Sequence, residues 1–482
     1  AGGDVAALAP VFAALFPAAA GGADAQARAA ALALLRSLLL VTGGPGTGKT
    51  TTIARMLVLL LEHARAEGRT PPRIALAAPT GRAADRMAGS MRSATAMLDG
   101  LPLLDGDLLA ALPTRASTLH RLLGTIPDSP RFRHDADHPL PFDVVVVDEA
   151  SMVDLPLMCK LVEAVPDGCR LVLLGDPDQL PSVEAGDVLS GILRAAGGGQ
   201  VLAVADATRL QPLLGEAPAA QGNAMGGGLA GHRVHLHRGY RQSSGLQLSP
   251  LADAVRTGDA DAALALLRGG LAGVDFHEGA LDPLLVGRGA LVGHWRALAS
   301  REDPATALRD AGQMCLLTAL REGPQGARGL NARIEELLGG RQSGYFQGRL
   351  LQVTENSYRH RLFNGDVGIC MRDASGAMVA WFAGDGDGDG GLRGFHPGAL
   401  PAHESAFAMT VHKAQGSEFD EVWLQLPRQP SKVLSRELVY TALTRARSAL
   451  HLCADETVLR EALSRHSVRV SGLAVRLGAA AS

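Results

Sequence analysis

The chain has 482 residues, 47% hydrophobic and 20% charged, which predicts a soluble globular protein of two to four domains. Its formal net charge of −3 gives no overall basic field, so composition alone does not support nucleic-acid binding, although a local basic channel is compatible with it. No apolar run is long enough to span a membrane, and no basic segment precedes the first apolar stretch, which argues against a signal peptide. The five cysteines are widely spaced without a C-x-x-C pair, so we interpret them as buried thiols and predict neither a disulfide framework nor a zinc site.

The N-terminal half has the pattern of a parallel α/β domain. Residues 1–23 are rich in Ala and Gly and begin with Ala1, so we interpret them as the remnant of an N-terminal domain or linker. Residues 24–232 alternate apolar runs with helical patterns, which predicts the first α/β domain, with a small insertion at 91–115 as a candidate strand-separating element. The strand-like runs are 38–41, 74–77, 144–147 and 171–174.

A glycine-rich segment follows the first run and precedes a helix-like run at 51–61. It reads Gly-Gly-Pro-Gly-Thr-Gly-Lys-Thr, the pattern of a phosphate-binding loop between a strand and a helix. Backbone N–H groups of such a loop face polyphosphate, Lys49 reaches the β and γ oxygens, and the Thr50 hydroxyl completes a Mg²⁺ shell. The alternative is a structural glycine-rich turn. The predicted nucleotide contacts are Gly43, Gly44, Pro45, Gly46, Thr47, Gly48, Lys49, Thr50 and Thr51.

Two adjacent carboxylates follow a run of four valines. Such a run predicts a central strand buried on both faces, which delivers Asp148 and Glu149 to the edge of the sheet. Asp148 is suited to hold Mg²⁺ and Glu149 to polarise the attacking water. An acidic pair after a strand can also be a solvated strand end or a helix N-cap, but its pairing with the loop at Lys49 favours the catalytic interpretation.

The last run, 171–174, ends in the turn Gly175-Asp176-Pro177-Asp178-Gln179. Gln179 is a candidate to contact the γ-phosphate or orient water. The alternative is an ordinary Gly-Asp-Pro turn.

The C-terminal half has a second alternating pattern with an interruption. Residues 233–340 and 401–482 predict a second α/β domain. Residues 341–400 contain short strand-like runs with turns at Asn364-Gly365 and Ser375-Gly376, which predict a small inserted β-barrel.

In this order, the motifs resemble those of a superfamily 1 helicase. Gly239-Tyr240-Arg241 is similar to helicase motif IV, residues 409–419 to motif V and residues 438–447 to motif VI. The amino-acid sequences of residues 116–124, 320–324 and 363–368 are similar to those of the RecD family, the alpha subunits of bacterial exodeoxyribonuclease V (RecBCD). The resemblance covers the chain from Gln26 to Leu473.

The resemblance implies two RecA-like parallel-sheet domains with an ATP cleft between them and an inserted SH3-like barrel. It implies an ATP-dependent 5′–3′ DNA helicase subunit acting in double-strand break repair and recombination, in the bacterial cytoplasm, with no nuclease site in this chain. Its implied partners are single-stranded DNA, duplex DNA ends, and RecB-like and RecC-like subunits in a heterotrimer, with ATP and Mg²⁺ as cofactors.

The resemblance also implies individual roles. Gln26 resembles the glutamine that reads adenine, the alternative being a surface helix residue. Arg241 and Arg445 resemble the two arginines that reach the γ-phosphate, the alternative for each being a solvated side chain. Gly416 is an implied nucleotide contact.

The implied DNA contacts are polar side chains in three of the motifs, for which the alternative is a helix cap. They are Thr80, Ser117, Thr118, His120, Thr410, His412 and Lys413.

Two other functions stay open on these residues. A stand-alone RecD-like helicase would share every motor residue. A nucleotide-gated assembly module would bind ATP and partners without unwinding, and ATPase assays with and without single-stranded DNA distinguish it.

Overall fold

The chain forms two compact units, residues 1–241 with 468–482, and residues 242–467. The computed structural model describes residues 5–17, 19, 24–101, 103–126, 129–182, 187–215, 229–237, 245–280, 282–339, 344–357, 359–384, 391–467 and 472–478.

The first unit contains a six-stranded parallel sheet of order β3-β2-β4-β5-β1-β6. All four strand-like runs predicted for this region form strands. The strands are β1 Leu38–Gly43, β2 Ile74–Ala78, β3 Ser117–Thr118, β4 Val144–Val147, β5 Arg170–Gly175 and β6 Arg233–Leu236.

Helices cover both faces of this sheet, which is why its strands are continuous apolar runs. Alternate side chains enter different cores: Leu39 and Val41 belong to one core and Leu40 to the other. The helices are α1 Ala9–Leu15, α2 Ala25–Ala33, α3 Lys49–Ala66, α4 Gly81–Leu98, α5 Gly106–Ala110, α6 Leu119–Leu123, α7 Leu155–Ala164, α8 Val188–Ala196 and α9 Val204–Leu214.

Four segments of the first unit differ from the sequence interpretation. Residues 233–236, assigned to the second domain, form β6 and pair with β1. Residues 5–17 are part of its core, because Leu8, Phe12 and Leu15 fall on one helical face and are buried with α3. Residues 91–98 complete α4, and Leu108 and Leu109 of α5 are buried in the same core, so these two helical parts of the 91–115 segment pack on the first unit. The described residues 472–478 belong to this unit and not to the second, since Leu473 packs on α8 at Gly191.

The second unit contains a five-stranded parallel sheet of order β14-β8-β15-β16-β7. Its strands are β7 Val274–Glu278, β8 Met314–Thr318, β14 Ala408–Thr410, β15 Phe419–Gln425 and β16 Ala446–Ala454. The helices of this unit are α10 Ser249–Thr257, α11 Ala260–Gly269, α12 Pro283–Val286, α13 Arg288–Ala299, α14 Pro304–Ala311, α15 Ala327–Gly339, α16 Arg436–Leu443 and α17 Glu456–Ser464, and α18 Leu473–Arg476 follows in the first unit.

An antiparallel sheet of order β12-β11-β10-β9-β13 interrupts the second α/β pattern where the barrel is predicted. It extends past residue 400, because β13 pairs with β9. Its small core includes Leu351, Cys370 and Phe382. The strands are β9 Leu350–Val353, β10 Val367–Arg372, β11 Met378–Ala383, β12 Leu392–Phe395 and β13 His403–Ser405.

The cysteines are all free, and four of them are buried as predicted. Cys159 is exposed, because it lies on the face of α7 opposite the buried Met158 and Leu161. None of the described helices combines the length and hydrophobicity that a bilayer span requires.

Candidate functional site

The glycine-rich loop connects the end of β1 to the first turn of α3. Gly46 and Gly48 adopt left-handed backbone conformations, with φ of 76° and 80°, which β-carbon-bearing residues rarely adopt. A Cβ on Gly43 would lie 2.7 Å from Thr47 Oγ1 and 2.9 Å from the Leu236 carbonyl oxygen. Glycine is therefore required at several positions of this loop, which exposes backbone N–H groups at the start of α3.

Hydrogen bonds inside the loop hold its shape. Lys49 Nζ donates to the carbonyl oxygens of Gly43 at 2.6 Å and Gly44 at 3.1 Å. The Thr47 hydroxyl donates to the Gly44 carbonyl at 2.8 Å, and Thr52, which the sequence analysis did not select, donates to Gly48 at 2.9 Å. The Lys49 ammonium is thus hydrogen-bonded to neutral carbonyl oxygens. A polyphosphate can replace these partners, because a hydrogen bond between two charged groups is stronger than one to a neutral carbonyl.

Thr50 and Thr51 lie in the first turn of α3, as the motif requires. Thr51 also lines a cavity with Leu15, Arg55 and Leu98. Thr51 therefore borders the packing of α1 and α4 on α3.

Gln26 lies beside the loop. Its side chain is only 6% exposed, and its Nε2 donates to the Thr47 carbonyl at 3.0 Å. Asp24 caps α2 by accepting from the backbone N–H of Gln26 at 2.8 Å, which fixes the start of the helix. The alternative of a surface helix residue is wrong for Gln26.

The acidic pair after β4 is buried and its backbone is strained. Glu149 has φ of 53°, which is uncommon for a residue with a side chain. Its N–H donates to Asp148 Oδ1 at 2.8 Å. Burial, then the neighbouring charge of Glu149, raises the pKa of Asp148, while Arg86 and Lys49 partly oppose this. A buried carboxylate with incomplete compensation by nearby cations is a suitable ligand for Mg²⁺.

Arg86 is a charged neighbour of this pair that sequence reasoning missed. Its guanidinium forms an ion pair with Glu149 Oε1, and the two side chains are 20% and 8% exposed. The available signal was topological: α4 follows β2, and β2 pairs with β4. Arg86 lies on a helix whose buried positions are Ala, Met and Leu, which makes a largely buried arginine conspicuous.

Gln179 is held at the same edge of the sheet. It is buried, and its Nε2 donates to Asp176 Oδ2 at 3.1 Å. Asp176 Oδ1 also accepts from the Asp178 N–H at 3.1 Å, the geometry of a tight turn. Because β4, β5 and β1 are neighbours in the sheet, their ends bring Lys49, Glu149 and Gln179 to one edge.

The candidate DNA contacts of the first unit lie at the ends of β2 and β3. Thr80 caps α4 by accepting from the Ala83 N–H at 3.2 Å, and Thr118 caps α6 by accepting from Arg121 at 3.2 Å. Ser117 and Thr118 form β3, and His120 is exposed beside Phe132. The two threonines have the capping role given above as the alternative, and their binding role stays a prediction.

The candidate residues of the second unit lie near β14 and β16. Thr410 caps a 3₁₀ turn, Val411–Ala414, that contains His412, and it accepts from the Lys413 N–H at 3.4 Å. The Lys413 ammonium pairs with Glu404. Gly416 has φ of 75°, the left-handed conformation that glycine allows.

Arg445 is 1% exposed in this structure, so the alternative of a solvated side chain is wrong for it. Its Nε donates to the Thr441 carbonyl at 3.0 Å and its Nη1 to the Ser417 carbonyl at 3.1 Å. The guanidinium therefore connects the segments that resemble motifs V and VI. Arg241, with the rest of the predicted motif IV, lies outside the described residues.

Comparisons with known proteins agree with these motifs. Residues 26–185 match a family model described as an AAA domain, which shows a nucleotide-binding domain, and residues 405–453 match a UvrD-like helicase C-terminal domain. The chain is 40% identical to RecBCD enzyme subunit RecD of Mycolicibacterium smegmatis, over 95% of this chain and 75% of that protein. It is 34% identical to RecBCD enzyme subunit RecD of Haemophilus influenzae, over 93% of this chain and 72% of that protein. It is 32% identical to the ATP-dependent RecD2 DNA helicase of Deinococcus radiodurans, over 85% of this chain but 46% of that protein.

Proposed function

The chain belongs to the RecD family of ATP-dependent superfamily 1 helicases, and from that premise we propose that it is a 5′–3′ DNA-translocating motor that hydrolyses ATP at the loop carrying Lys49. The support is the assembly of charged and polar groups at one sheet edge. Lys49, the pair Asp148 and Glu149, and Gln179 follow three neighbouring strands. This is the set of groups that phosphoryl transfer requires: a phosphate cradle, a metal ligand and a residue that orients water.

In the proposed mechanism, the loop and the first turn of α3 bind the phosphates through backbone N–H groups, and Gln26 binds the adenine. Lys49 exchanges the carbonyls of Gly43 and Gly44 for phosphate oxygens. Asp148 and the Thr50 hydroxyl would hold Mg²⁺, which when bound neutralises charge on the phosphate oxygens.

Hydrolysis then depends on three further side chains. Glu149 accepts the proton of the attacking water, and Gln179 orients that water. Arg445, with Arg241, stabilises the charge that develops on the transferring phosphoryl group, and Gly416 lets the backbone approach the nucleotide.

The proposed track is single-stranded DNA. Thr80, Ser117, Thr118 and His120 in the first unit, and Thr410, His412 and Lys413 in the second, contact its phosphates. We also propose the unit of residues 1–241 with 468–482 as one motor domain and the parallel sheet of residues 242–467 as the other.

Steady-state ATPase assays with and without single-stranded DNA test the motor function. The wild type should be stimulated by DNA, and Lys49→Ala should abolish hydrolysis. Lys160→Ala, at a half-buried lysine of α7 that pairs with Glu163, should leave hydrolysis unchanged. An ATPase rate that DNA does not change would contradict the motor function and favour the nucleotide-gated assembly module. On substrates with one type of tail, unwinding should require a 5′ tail, and efficient unwinding from 3′ tails alone would contradict the polarity.

We propose that the chain works in the bacterial cytoplasm in a heterotrimer with RecB-like and RecC-like subunits, at duplex DNA ends during double-strand break repair. The support is that its RecD relatives are RecBCD enzyme subunits. The second candidate is a stand-alone helicase, which the similarity to the Deinococcus helicase favours. Size-exclusion chromatography of native extract separates them: co-elution with two larger chains and nuclease activity supports the heterotrimer, and an active monomer supports the stand-alone helicase.

A further inference from the structure

We infer that Arg86 is a positioning residue that holds Glu149 at rest through their ion pair, and that DNA binding at the start of α4 releases Glu149 for catalysis. This inference rests on the proposed function, in which Glu149 is the general base and Thr80 contacts DNA. It adds a residue that neither the motifs nor the comparisons assign. It also identifies a physical route by which DNA stimulates ATP hydrolysis.

The ion pair restrains the residue that must act as a base. Arg86 binds Glu149 Oε1 in a largely buried site, where a charge-assisted hydrogen bond is stronger than at the surface. A carboxylate oxygen bound to a guanidinium is held in that position and is not available to a water molecule. Catalysis by Glu149 therefore requires that Arg86 first loosen its contact.

The backbone of Glu149 makes this restraint effective. The residue has φ of 53°, and its N–H is bound to Asp148 Oδ1 at 2.8 Å. The start of the Glu149 side chain is thus fixed, and its carboxylate can change position only by rotation of the side chain. Arg86 acts on that remaining freedom.

Arg86 is also connected to the proposed DNA contact. Thr80 is the N-cap of α4, and Arg86 lies five residues beyond Gly81, about 7.5 Å along the helix axis. Side chains of a helix lean towards its N-terminus, so the Arg86 guanidinium can reach towards the start of α4. Arg82 lies four residues earlier on the same face. A phosphate bound at Thr80 would compete with Glu149 for Arg86, because a guanidinium binds phosphate in a bidentate manner.

The two anions have different consequences for hydrolysis. When Arg86 pairs with Glu149, the ion pair keeps this carboxylate from the attacking water and hydrolysis is slow. With a DNA phosphate as partner, the base is free to accept the proton of the attacking water. DNA therefore acts by replacing an internal carboxylate and needs to supply no catalytic group.

The test measures kcat and KM for ATP, with and without oligodeoxythymidylate, in the wild type, Arg86→Gln, Arg86→Lys and Arg92→Gln. Arg92 lies on the same helix and is exposed, with its Nη1 on the Thr114 carbonyl, so it is the matched control. Arg86→Gln should raise kcat without DNA by about 5- to 50-fold, in the range of ordinary coupling between sites, and leave KM nearly unchanged. The ratio of stimulated to basal kcat should shrink by the same factor. Arg86→Lys, which keeps the charge but lacks the bidentate guanidinium, should give a ratio between those of Arg86→Gln and the wild type, and Arg92→Gln should match the wild type.

A second variant shows whether the effect passes through Glu149. In the background of Glu149→Gln, Arg86→Gln should no longer raise basal kcat, because the base is already absent. The affinity of each variant for a fluorescent ATP analogue should match that of the wild type, which separates loss of restraint from a change in the nucleotide site.

Two outcomes would overturn the inference: an equal fall of kcat with and without DNA in Arg86→Gln, which would make Arg86 a support of the active geometry, or an unchanged stimulation ratio. Both leave the proposed function intact as long as the wild type is stimulated by DNA. A wild type that DNA does not stimulate contradicts the proposed function itself.

Discussion

Arg86 in the first unit and Arg445 in the second satisfy their guanidinium groups in different ways. Arg86 pairs with a carboxylate that the proposed reaction uses, and its side chain is 20% exposed. Arg445 is almost completely buried and donates to the carbonyls of Thr441 and Ser417. An ion pair can exchange one anion for another, whereas hydrogen bonds to backbone carbonyls fix a side chain to its own fold. The comparison separates a residue suited to exchanging its partner from one that is held in place within its own unit.

The largest effect is expected at Arg445. Arg445→Ala should lower turnover by about 10³- to 10⁵-fold, the range of arginine fingers, with a much smaller change in ATP affinity. It should also lower the melting temperature, because two buried carbonyls lose a donor. Arg460→Gln, at a half-buried arginine of the same unit that pairs with Asp261, is the control. Equal losses of affinity and rate would assign Arg445 to ground-state binding, and the contrast with Arg86 would then fail.

The next effect concerns the partner of Arg86. Glu149→Gln should lower kcat by about 10²- to 10⁴-fold, the usual value of general-base catalysis, and retain ATP binding because Asp148 remains. Single-turnover hydrolysis and equilibrium nucleotide binding measure the two quantities. Glu163→Gln, an exposed glutamate of α7, should change neither. Near-normal turnover of Glu149→Gln would remove this residue from the mechanism and leave the ion pair with Arg86 purely structural.

Gln26 in the first unit, like Arg445 in the second, donates a side-chain hydrogen bond to a backbone carbonyl. Gln26→Ala removes the donor to the Thr47 carbonyl and the proposed adenine contact, so ATP affinity should fall by about tenfold, as for the loss of one hydrogen bond. Competition binding with ATP and GTP measures this. A variant that loses affinity for GTP as strongly as for ATP would show that Gln26 supports the loop and does not read the base.

The smallest effect is a gain of stability in the first unit. The pKa of Asp148 is raised chiefly by burial, so its charged form costs folding free energy at neutral pH and a neutral side chain should relieve this cost. Asp148→Asn should therefore stabilise the nucleotide-free protein by about 0.5–2 kcal/mol while it impairs hydrolysis. Differential scanning calorimetry without Mg²⁺ measures the change. A lower melting temperature would show that the attraction of the Asp148 carboxylate to Lys49 and Arg86 stabilises the fold more than burial of its charge destabilises it.

The sequence predicted four of the six strands of the first sheet, because buried parallel strands are unbroken apolar runs. It assigned β6 to the second domain and did not predict the two-residue strand β3. It also predicted the gathering of Lys49, Asp148 and Gln179 at one edge, since carboxyl ends of parallel strands coincide. It did not predict Arg86, because that contact depends on the rotation of α4 and on the pairing of β2 with β4. The packing of residues 5–17 was missed for a different reason: their many Ala residues obscure the spacing of Leu8, Phe12 and Leu15.

The packing of α1 on α3 has a practical consequence for recombinant versions of this motor. Phe12 and Leu15 are each 1% exposed in a core shared with Ile53, and the Arg55 guanidinium lies 5.5 Å above the Phe16 ring. A version beginning at residue 24 would keep every proposed nucleotide contact. It would still remove the apolar side chains that pack on α3, the helix that begins at Lys49. Each large apolar side chain removed from such a core forfeits about 1.5–3 kcal/mol. Loss of activity on such trimming would reflect a helix without its support, in a protein whose chemistry is untouched.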